Sequence, residues 1–406
     1  MIESQAFVEA IRRRGFGLVS GVPCSYLTPL INGVINSAEV AYVNAANEGE
    51  AVAIATGATL GGLGGIVMFQ NSGLGNAVSP LTSLNWVFQI PVLIITTWRG
   101  QPGGPPDEPQ HGLMGSITED QLKVMEIPFE RFPRQLKEVD SVLRSACDHM
   151  NQTGRPYALV MEKGRVAPTP LMEREKLPRS IGGIERAEAV PAIFDQDEVL
   201  CRIQASVSGE DIVVATAGFT GRALYSCGDL PNQFYMVGSM GCVSTFGLGL
   251  ALAQPQKRVV VIDGDGAFLM RLGALAAVGG EQPVNLLHIV LNNGVHDSTG
   301  SQATLAAHVD IPGAAVACGY PRAIDLVSLD RLGDEVCGRQ PGLRLLHLRT
   351  QPRRDRKLLR PSIEPAAVAR RLQGFMGVKG RAVLKRRGRI ESSRQHDENV
   401  CSEGVE

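Results

Sequence analysis

The sequence has almost no charge imbalance, no long apolar run and no clustered cysteines. Lys and Arg number 40 against 41 Asp and Glu, so the net charge of -1 gives no general attraction to nucleic acid or to an anionic membrane. No stretch reaches the ~20 apolar residues that span a bilayer, and residues 1–17 alternate charged and apolar side chains unlike a signal peptide. The eight cysteines are scattered singly, without the spacing of zinc sites or of a disulfide scaffold. We therefore expect a cytoplasmic protein with reduced thiols, and neither a nucleic-acid nor a membrane partner.

Short apolar runs alternate with helical patterns, such as the one at 269–278, along the 406 residues, which are enough for two or three domains. This alternation predicts an α/β fold in which parallel sheets are covered by helices on both faces. A Pro-rich and charged stretch, 165–188, predicts a linker between a domain at 1–164 and one at 189–375, and the charged residues 376–406 predict a disordered tail. The predicted strands are 18–20, 40–43, 66–69, 92–96, 158–161, 212–216, 234–237, 259–263, 286–292 and 343–348.

Two of the predicted strands end in polar, glycine-containing turns. One ends in GDG at 264–266 and the next in NNG at 292–294, which places both turns at the carboxyl edge of a parallel sheet, where open α/β sheets bind ligands. Glycines allow a diphosphate to approach the following helix, while Asp265 and Asn293 offer the oxygen ligands that Mg²⁺ prefers. The alternative is a pair of ordinary strand-to-helix turns, because Asp-Gly and Asn-Gly are common turn dipeptides.

The separation of GDG and NN, about 30 residues, resembles the diphosphate-binding motif of thiamine diphosphate-dependent enzymes. By this resemblance, the cofactors are thiamine diphosphate and Mg²⁺, and the metal ligands are Asp265, the Asn293 side chain and the backbone carbonyl of Val295. The resemblance implies diphosphate contacts from Gly264, Asp265, Gly266, Ala267 and Asn293.

The segment 44–62 resembles the part of this family that binds the aminopyrimidine ring, and Glu48 matches its required acid. A carboxyl group at the ring nitrogen favours the imino tautomer, which removes the proton from the thiazolium carbon. Glu50 is the rival, and a capping glutamate without a chemical role is the alternative for either residue.

A third segment, 234–253, resembles the family's second contact to the pyrimidine. It implies that the Gly238 carbonyl accepts from the 4′-amino group and that Met240 holds the cofactor bent, although Met240 read alone is a core residue. The remaining cofactor contacts implied by the resemblance are Ser239, Asn71, Ser72 and Gly73.

The linker is too short for the middle domain of most decarboxylases of this family. In this respect, and in the strings at 21–25, 70–84, 99–115 and 292–304, the sequence resembles the two-domain members that decarboxylate phosphonopyruvate or sulfopyruvate. The resemblance implies decarboxylation of 3-phosphonopyruvate to phosphonoacetaldehyde and CO₂, for the biosynthesis of phosphonate natural products. Sulfopyruvate as substrate, carboligation, and a non-catalytic cofactor-binding subunit are the alternatives. The resemblance also implies a homo-oligomer with active sites at subunit interfaces. Ser301 and Ala303 depart from the family pattern.

Ser25 stands where the pyruvate decarboxylases of the family have an Asp, and a carboxylate there would repel a phosphonate. Ser25 is therefore a predicted substrate contact, with a helix N-cap as the alternative. Arg99 follows a predicted strand and is the second predicted contact, with a surface arginine as its alternative. By their motif positions, His111 is the first choice for proton transfer, and His296 and Asp297 are expected to face the same cavity, where Asp297 is a candidate to exchange a proton or to orient one.

Overall fold

The computed structural model describes residues 1–172, 182–186, 193–353 and 358–378. Its first half contains a sheet of six parallel strands in the order β2-β1-β3-β4-β6-β5. The strands are β1 Phe16–Gly21, β2 Ala41–Asn44, β3 Gly64–Phe69, β4 Leu93–Thr97, β5 Phe129–Arg131 and β6 Tyr157–Met161. The helices are α1 Ser4–Arg13, α2 Thr28–Asn36, α3 Glu48–Leu60, α4 Leu74–Pro80, α5 Trp86–Phe88, α6 Gly112–Val124 and α7 Leu136–Thr153.

The second half contains a parallel sheet of seven strands in the order β7-β14-β15-β11-β10-β8-β9. Its strands, with the small antiparallel pair β12 and β13, are β7 Gly183–Glu185, β8 Ile212–Ala215, β9 Gln233–Tyr235, β10 Val259–Gly264, β11 Leu286–Asn292, β12 Val295–His296, β13 Gln302–Ala303, β14 Arg322–Asp325 and β15 Arg344–Arg349. The helices are α8 Gln196–Ser206, α9 Phe219–Cys227, α10 Val243–Ala253, α11 Asp265–Met270, α12 Ala274–Glu281, α13 Ile311–Ala317, α14 Leu329–Cys337 and α15 Pro365–Phe375. The predicted α/β class with two parallel sheets is confirmed.

The central strands are apolar along their length because helices cover both faces of each sheet. In β4 and in β10 as far as Asp263, every residue is buried. β5 and β14, which the sequence did not predict, are short and carry charged residues at an end, so they lack a continuous apolar run. β7 lies inside the range predicted as a linker and pairs with β14.

Helices α3 and α10 pack against each other and join the two halves. An added Cβ on Gly57 would lie 2.0 Å from the backbone oxygen of Phe246, and one on Gly249 would lie 2.0 Å from that of Ile54. Only glycine allows this approach of the two backbones. Beside this contact Phe88 of the first half stacks on Phe234 of the second, with ring centroids 4.5 Å apart, so the two halves share one core.

The C-terminal helix α15 links the second sheet to the first half. Arg371 forms an ion pair of 2.7 Å with Asp229, next to β9, and Arg370 donates to Gln89 at 3.3 Å, just after α5. α15 ends at Phe375, and most of the predicted disordered tail, residues 379–406, lies outside the described residues.

Two local expectations are wrong. Cys201 of α8 and Cys227 of α9 form a disulfide with their Cα atoms 5.5 Å apart, because the two helices pack side by side. Their separation of 26 residues gave no sign of this proximity. The helical pattern predicted at 269–278 is interrupted, since α11 ends at Met270 and α12 begins at Ala274. Among the described residues, no helix is both long enough and apolar enough to cross a membrane.

Candidate active site

The two polar turns predicted from the sequence lie side by side in the second sheet. β10 and β11 are adjacent parallel strands, and α11 begins at Asp265 directly after β10. The Asp265 side chain is 3% exposed and accepts a hydrogen bond of 2.5 Å from the hydroxyl of Thr304. Burial raises the pKa of Asp265, and the hydrogen bond from Thr304 opposes that rise. A cation bound here would stabilise the charged form of the carboxylate.

Asn293 is held in place from both ends of its side chain. Its Nδ2 donates to Asp297 at 2.7 Å, and its Oδ1 accepts from the backbone amide of Val295 at 3.1 Å. Asp297 also accepts from the backbone amide of Arg353 at 3.0 Å. Asp297 was predicted to exchange or orient a proton, and in the structure it orients the predicted metal ligand Asn293.

A cavity opens between these turns and the loop after β8. It is lined by Met240, His296 and Asp297, and by Gly264, Asp265, Gly266, Ala267, Asn293 and Val295 of the predicted cofactor set. An added Cβ on Gly266 would lie 2.6 Å from the His296 ring, so this glycine is needed where the chain approaches the cavity. The structure therefore brings together the predicted diphosphate, metal and His296 positions.

The sequence interpretation missed several residues of this cavity. Thr216, Gly218 and Thr220 follow β8 and line the same cavity, and Thr304 bonds to Asp265. The Thr216 hydroxyl is buried and has no hydrogen-bond partner among the described residues. The predicted strand 212–216 ends at the same sheet edge as the two polar turns. The polar residues at and after its end could therefore have been predicted to line the cavity.

Helix α3 presents its two glutamates to different surroundings. Glu48 is partly exposed and accepts a hydrogen bond of 2.7 Å from Asn76. Glu50 is 2% exposed, and burial raises its pKa while the charge of Arg271 lowers it. Gly73 lies against Glu48, because an added Cβ there would be 2.5 Å from the glutamate's Cγ. The geometry favours Glu48 over Glu50 as the acid open to a ligand.

The other predicted cofactor contacts of the first half, Asn71 and Ser72, differ in how accessible their side chains are. Asn71 is fully buried and donates both to the backbone oxygen of Arg99 and to the hydroxyl of Thr118, each at 2.9 Å. The Asn71 amide thus links the ends of β3 and β4, and its role as a cofactor contact stays a prediction. Ser72 is exposed and accepts from Gln70 at 2.7 Å.

In the third predicted segment, Ser239 has a positive φ of 53° and its hydroxyl lies 2.8 Å from that of Ser83. An added Cβ on Gly238 would lie 2.7 Å from the Cβ of Ser83. The segment predicted to face the pyrimidine therefore lies against the first half of the same chain.

The predicted substrate contacts Ser25 and Arg99 meet at the carboxyl edge of the first sheet. Arg99 Nη1 donates to the Ser25 hydroxyl at 3.2 Å, and both residues line a cavity of about 680 Å³. Ser25 is not a helix N-cap, because α2 begins at Thr28 and its N-cap residue is Leu27. Arg99 is not a free surface arginine, since it forms an ion pair with Asp107.

His111 is 6% exposed and lies close to Gly100, whose added Cβ would be 3.1 Å from the histidine's Cβ. It lines neither of the two cavities described above. Its role in proton transfer stays a prediction, and the described chain gives His296 the more open position.

Comparisons with known proteins agree with this geometry. The family models "Thiamine pyrophosphate enzyme, N-terminal TPP binding domain" and "Thiamine pyrophosphate enzyme, C-terminal TPP binding domain" match residues 2–124 and 217–327. The chain is 44% identical to a phosphonopyruvate decarboxylase from Streptomyces viridochromogenes, over 93% of this chain and 95% of that protein. It is 32% identical to a sulfopyruvate decarboxylase from Methanosarcina acetivorans, over 77% of this chain and 81% of that protein.

The fold is similar to that of the benzoylformate decarboxylase from Polynucleobacter necessarius, with a TM-score of 0.68 and 12% identity. The match covers 88% of this chain and all of that one. The chain therefore belongs to the thiamine diphosphate-dependent enzymes and, among them, to the phosphonopyruvate decarboxylase family.

Proposed function

We propose that this enzyme is a carboxy-lyase that converts 3-phosphonopyruvate to phosphonoacetaldehyde and CO₂ with Mg²⁺ as its metal. The observation that carries the proposal is the pairing of the Ser25 hydroxyl and the Arg99 guanidinium in one cavity. A neutral hydroxyl does not repel a phosphonate, and a guanidinium presents donors that match its oxygens. The Streptomyces relative, whose name gives this activity, supports the same substrate.

The residues of the second half fit a diphosphate and its metal. Asp265 and Asn293 supply carboxylate and amide oxygens, the Thr216 hydroxyl is buried without a partner among the described residues, and Gly264 and Gly266 leave room for phosphate oxygens. Thiamine diphosphate, when bound, supplies a nucleophilic carbon and accepts the electron pair that carbon dioxide leaves behind. These residues would hold the group in place, and Met240 would support it from the side.

Glu48 has the position for the acid that exchanges a proton with the aminopyrimidine. It begins α3 at the carboxyl edge of the first sheet, where its carboxylate is held by Asn76 and remains accessible. We assign the return of a proton to the reacting carbon to His296, which lines the diphosphate cavity, with His111 as the second candidate.

We further propose that the active site forms between two copies of the chain. No residue of 1–164 lines the described cavity around Asp265 and Asn293, so within one chain Glu48 does not complete it. A second copy that brings its Glu48 to this cavity would join the acid to the diphosphate site. This arrangement is a homo-oligomer with shared sites.

The test is an assay of CO₂ release from phosphonopyruvate and from sulfopyruvate, each with and without thiamine diphosphate and Mg²⁺. We expect turnover that needs both additions and a larger kcat/KM for phosphonopyruvate. A larger kcat/KM for sulfopyruvate would favour the second candidate function, sulfopyruvate decarboxylation, which the name of the Methanosarcina relative supports. No release from either acid would favour a non-catalytic cofactor-binding subunit. Detection of phosphonoacetaldehyde as the product would support a role in phosphonate natural product biosynthesis.

A further inference from the structure

The positive charge of Arg99 is already balanced within the protein. Its Nε and Nη2 donate to the two carboxylate oxygens of Asp107 at 2.7 and 2.5 Å. Asp107 also accepts from the backbone amide of Gly100 at 3.0 Å and from the Tyr26 hydroxyl at 3.2 Å. The hydrogen bond from Arg99 holds the pKa of Asp107 well below its usual range, so the pair stays ionised. Arg99 can therefore orient a bound anion through a hydrogen bond from Nη1, but the Arg99–Asp107 pair adds little net positive charge to the cavity.

Lys163 is a second base on the wall of the same cavity. It lies two residues beyond Met161, and Arg99 lies two residues beyond Thr97, which is the partner of Met161 in the parallel pairing of β4 and β6. Lys163 Nζ is 5.8 Å from the centroid of the Tyr26 ring, and Arg99 Cζ is 4.6 Å from the same centroid. The two bases thus converge on one aromatic ring.

The charge of Lys163 is not paired within the part of the chain that the structure describes. It is exposed and forms no ion pair there with an acidic side chain. The acids on the cavity wall are Asp107, which is bound to Arg99, and the exposed Glu108. Without Lys163, the charged side chains of this wall would be net negative and would oppose an anionic substrate, with the α-amino group of Met1 as the remaining cation on the wall besides Arg99.

We propose that Lys163 supplies the countercharge for the phosphonate and makes the enzyme favour a phosphonate over a sulfonate. This inference rests on the proposed function. A phosphonate carries up to two negative charges and a sulfonate carries one, so an added cation stabilises the bound phosphonate more. Ser25 and Arg99 supply hydrogen bonds that suit either group, whereas Lys163 distinguishes them by charge.

The experiment compares kcat/KM for phosphonopyruvate and sulfopyruvate in the holoenzyme at about pH 8, above the second ionisation expected of a phosphate-like group. In Lys163→Gln, we expect kcat/KM for phosphonopyruvate to fall about 10- to 100-fold, mainly through KM, as for a lost charged contact. The value for sulfopyruvate should fall several-fold less. Lys163→Arg should keep most of the preference, and Lys137→Gln, which removes an exposed lysine of α7, should match the wild type.

The two proposals can fail separately. If the wild type releases CO₂ from phosphonopyruvate but Lys163→Gln keeps the wild-type ratio of the two kcat/KM values, the role of Lys163 is overturned and the proposed function stands. Equal losses for both acids would also overturn it, because a structural defect does not discriminate by substrate charge. If the wild type acts on neither acid, the proposed function fails and the inference fails with it.

Discussion

Glu48 and Glu50 lie two residues apart in the first turn of α3, yet only Glu48 has a carboxylate open to a ligand. Glu50 is buried near Arg271, and one of its carboxylate oxygens has no hydrogen-bond partner among the described residues. The sequence suggested Glu48 by its motif position but left Glu50 as a rival. Burial separates them, and burial depends on the second half of the chain, which supplies Arg271.

Replacing Glu48 by Gln should lower kcat about 10²- to 10⁴-fold, the usual contribution of a positioned proton donor and acceptor. The fold should be retained, because the Asn76 contact can be kept by an amide. The matched variant Glu50→Gln should retain most of the activity. Steady-state CO₂ release measures both, and a loss in Glu50→Gln as large as that in Glu48→Gln would show that the wrong acid has been chosen.

Thr304 contacts the predicted metal ligand Asp265 from a distant part of the sequence, so no short sequence motif reveals the contact. Its hydroxyl reaches Asp265 from 39 residues along the chain, after a loop that departs from the family pattern at Ser301 and Ala303. The sequence placed doubt on this loop. In the structure, the Thr304 hydroxyl nevertheless donates a hydrogen bond to Asp265, the predicted metal ligand.

We expect Thr304→Val to weaken Mg²⁺ binding about 10- to 100-fold, as happens when a group that orients a metal ligand is removed. Calorimetric titration of Mg²⁺ in the presence of thiamine diphosphate measures the Kd. Thr304→Ser retains the hydroxyl and should bind Mg²⁺ nearly as the wild type does. An unchanged Kd in Thr304→Val would mean that the hydrogen bond does not orient Asp265 for the metal.

At the scale of the elements, the continuous apolar runs predicted ten strands, and each of them overlaps a strand of the structure. β14 was not predicted because only its two middle residues are fully buried. β7 falls in a Pro-rich and charged stretch, where its three residues resemble a linker. Such short strands, at the edge of a sheet or next to it, take their conformation from the neighbouring strands rather than from their own sequence.

The close contact of α3 with α10 should depend on its two glycines. Gly57→Ala and Gly249→Ala each place a Cβ against a facing backbone, so each should lower the free energy of unfolding by about 1–3 kcal/mol. Gly280→Ala in α12 is the control, because its added Cβ meets nothing within 4 Å. Urea unfolding followed by circular dichroism measures the difference, and equal stability of the three variants would contradict the packing argument.

At the scale of the whole molecule, the proposed site draws on both halves of the chain, but the described first half contributes no lining residue to the cavity around Asp265. The cavity around Asp265 is lined by described residues of the second half alone. The family resemblance predicts sites shared between two copies of the chain, but composition and periodicity carry no information on how two copies meet. The oligomer therefore needs an experiment of its own.

Two inactive variants should restore activity when they are combined. Glu48→Gln and Asp265→Ala damage different halves, so a mixed dimer would contain one site with neither defect. With random pairing, about one quarter of all sites should recover, and about one half of the sites in the doubly tagged mixed dimer. Co-expression with two affinity tags, followed by an assay of the doubly purified protein, measures this recovery. An inactive mixed oligomer would indicate that each chain builds its own complete site.

Two contacts connect the halves of the chain directly: the stacked rings of Phe88 and Phe234, and the glycine contacts of α3 with α10. They bear on how a gene for this protein can be divided. Because these contacts lie between the halves themselves, we expect the halves to stay associated when the chain is cut between residues 172 and 182. A coding sequence that is split at this point, or fused there from two reading frames, needs no newly evolved surface to keep its products joined.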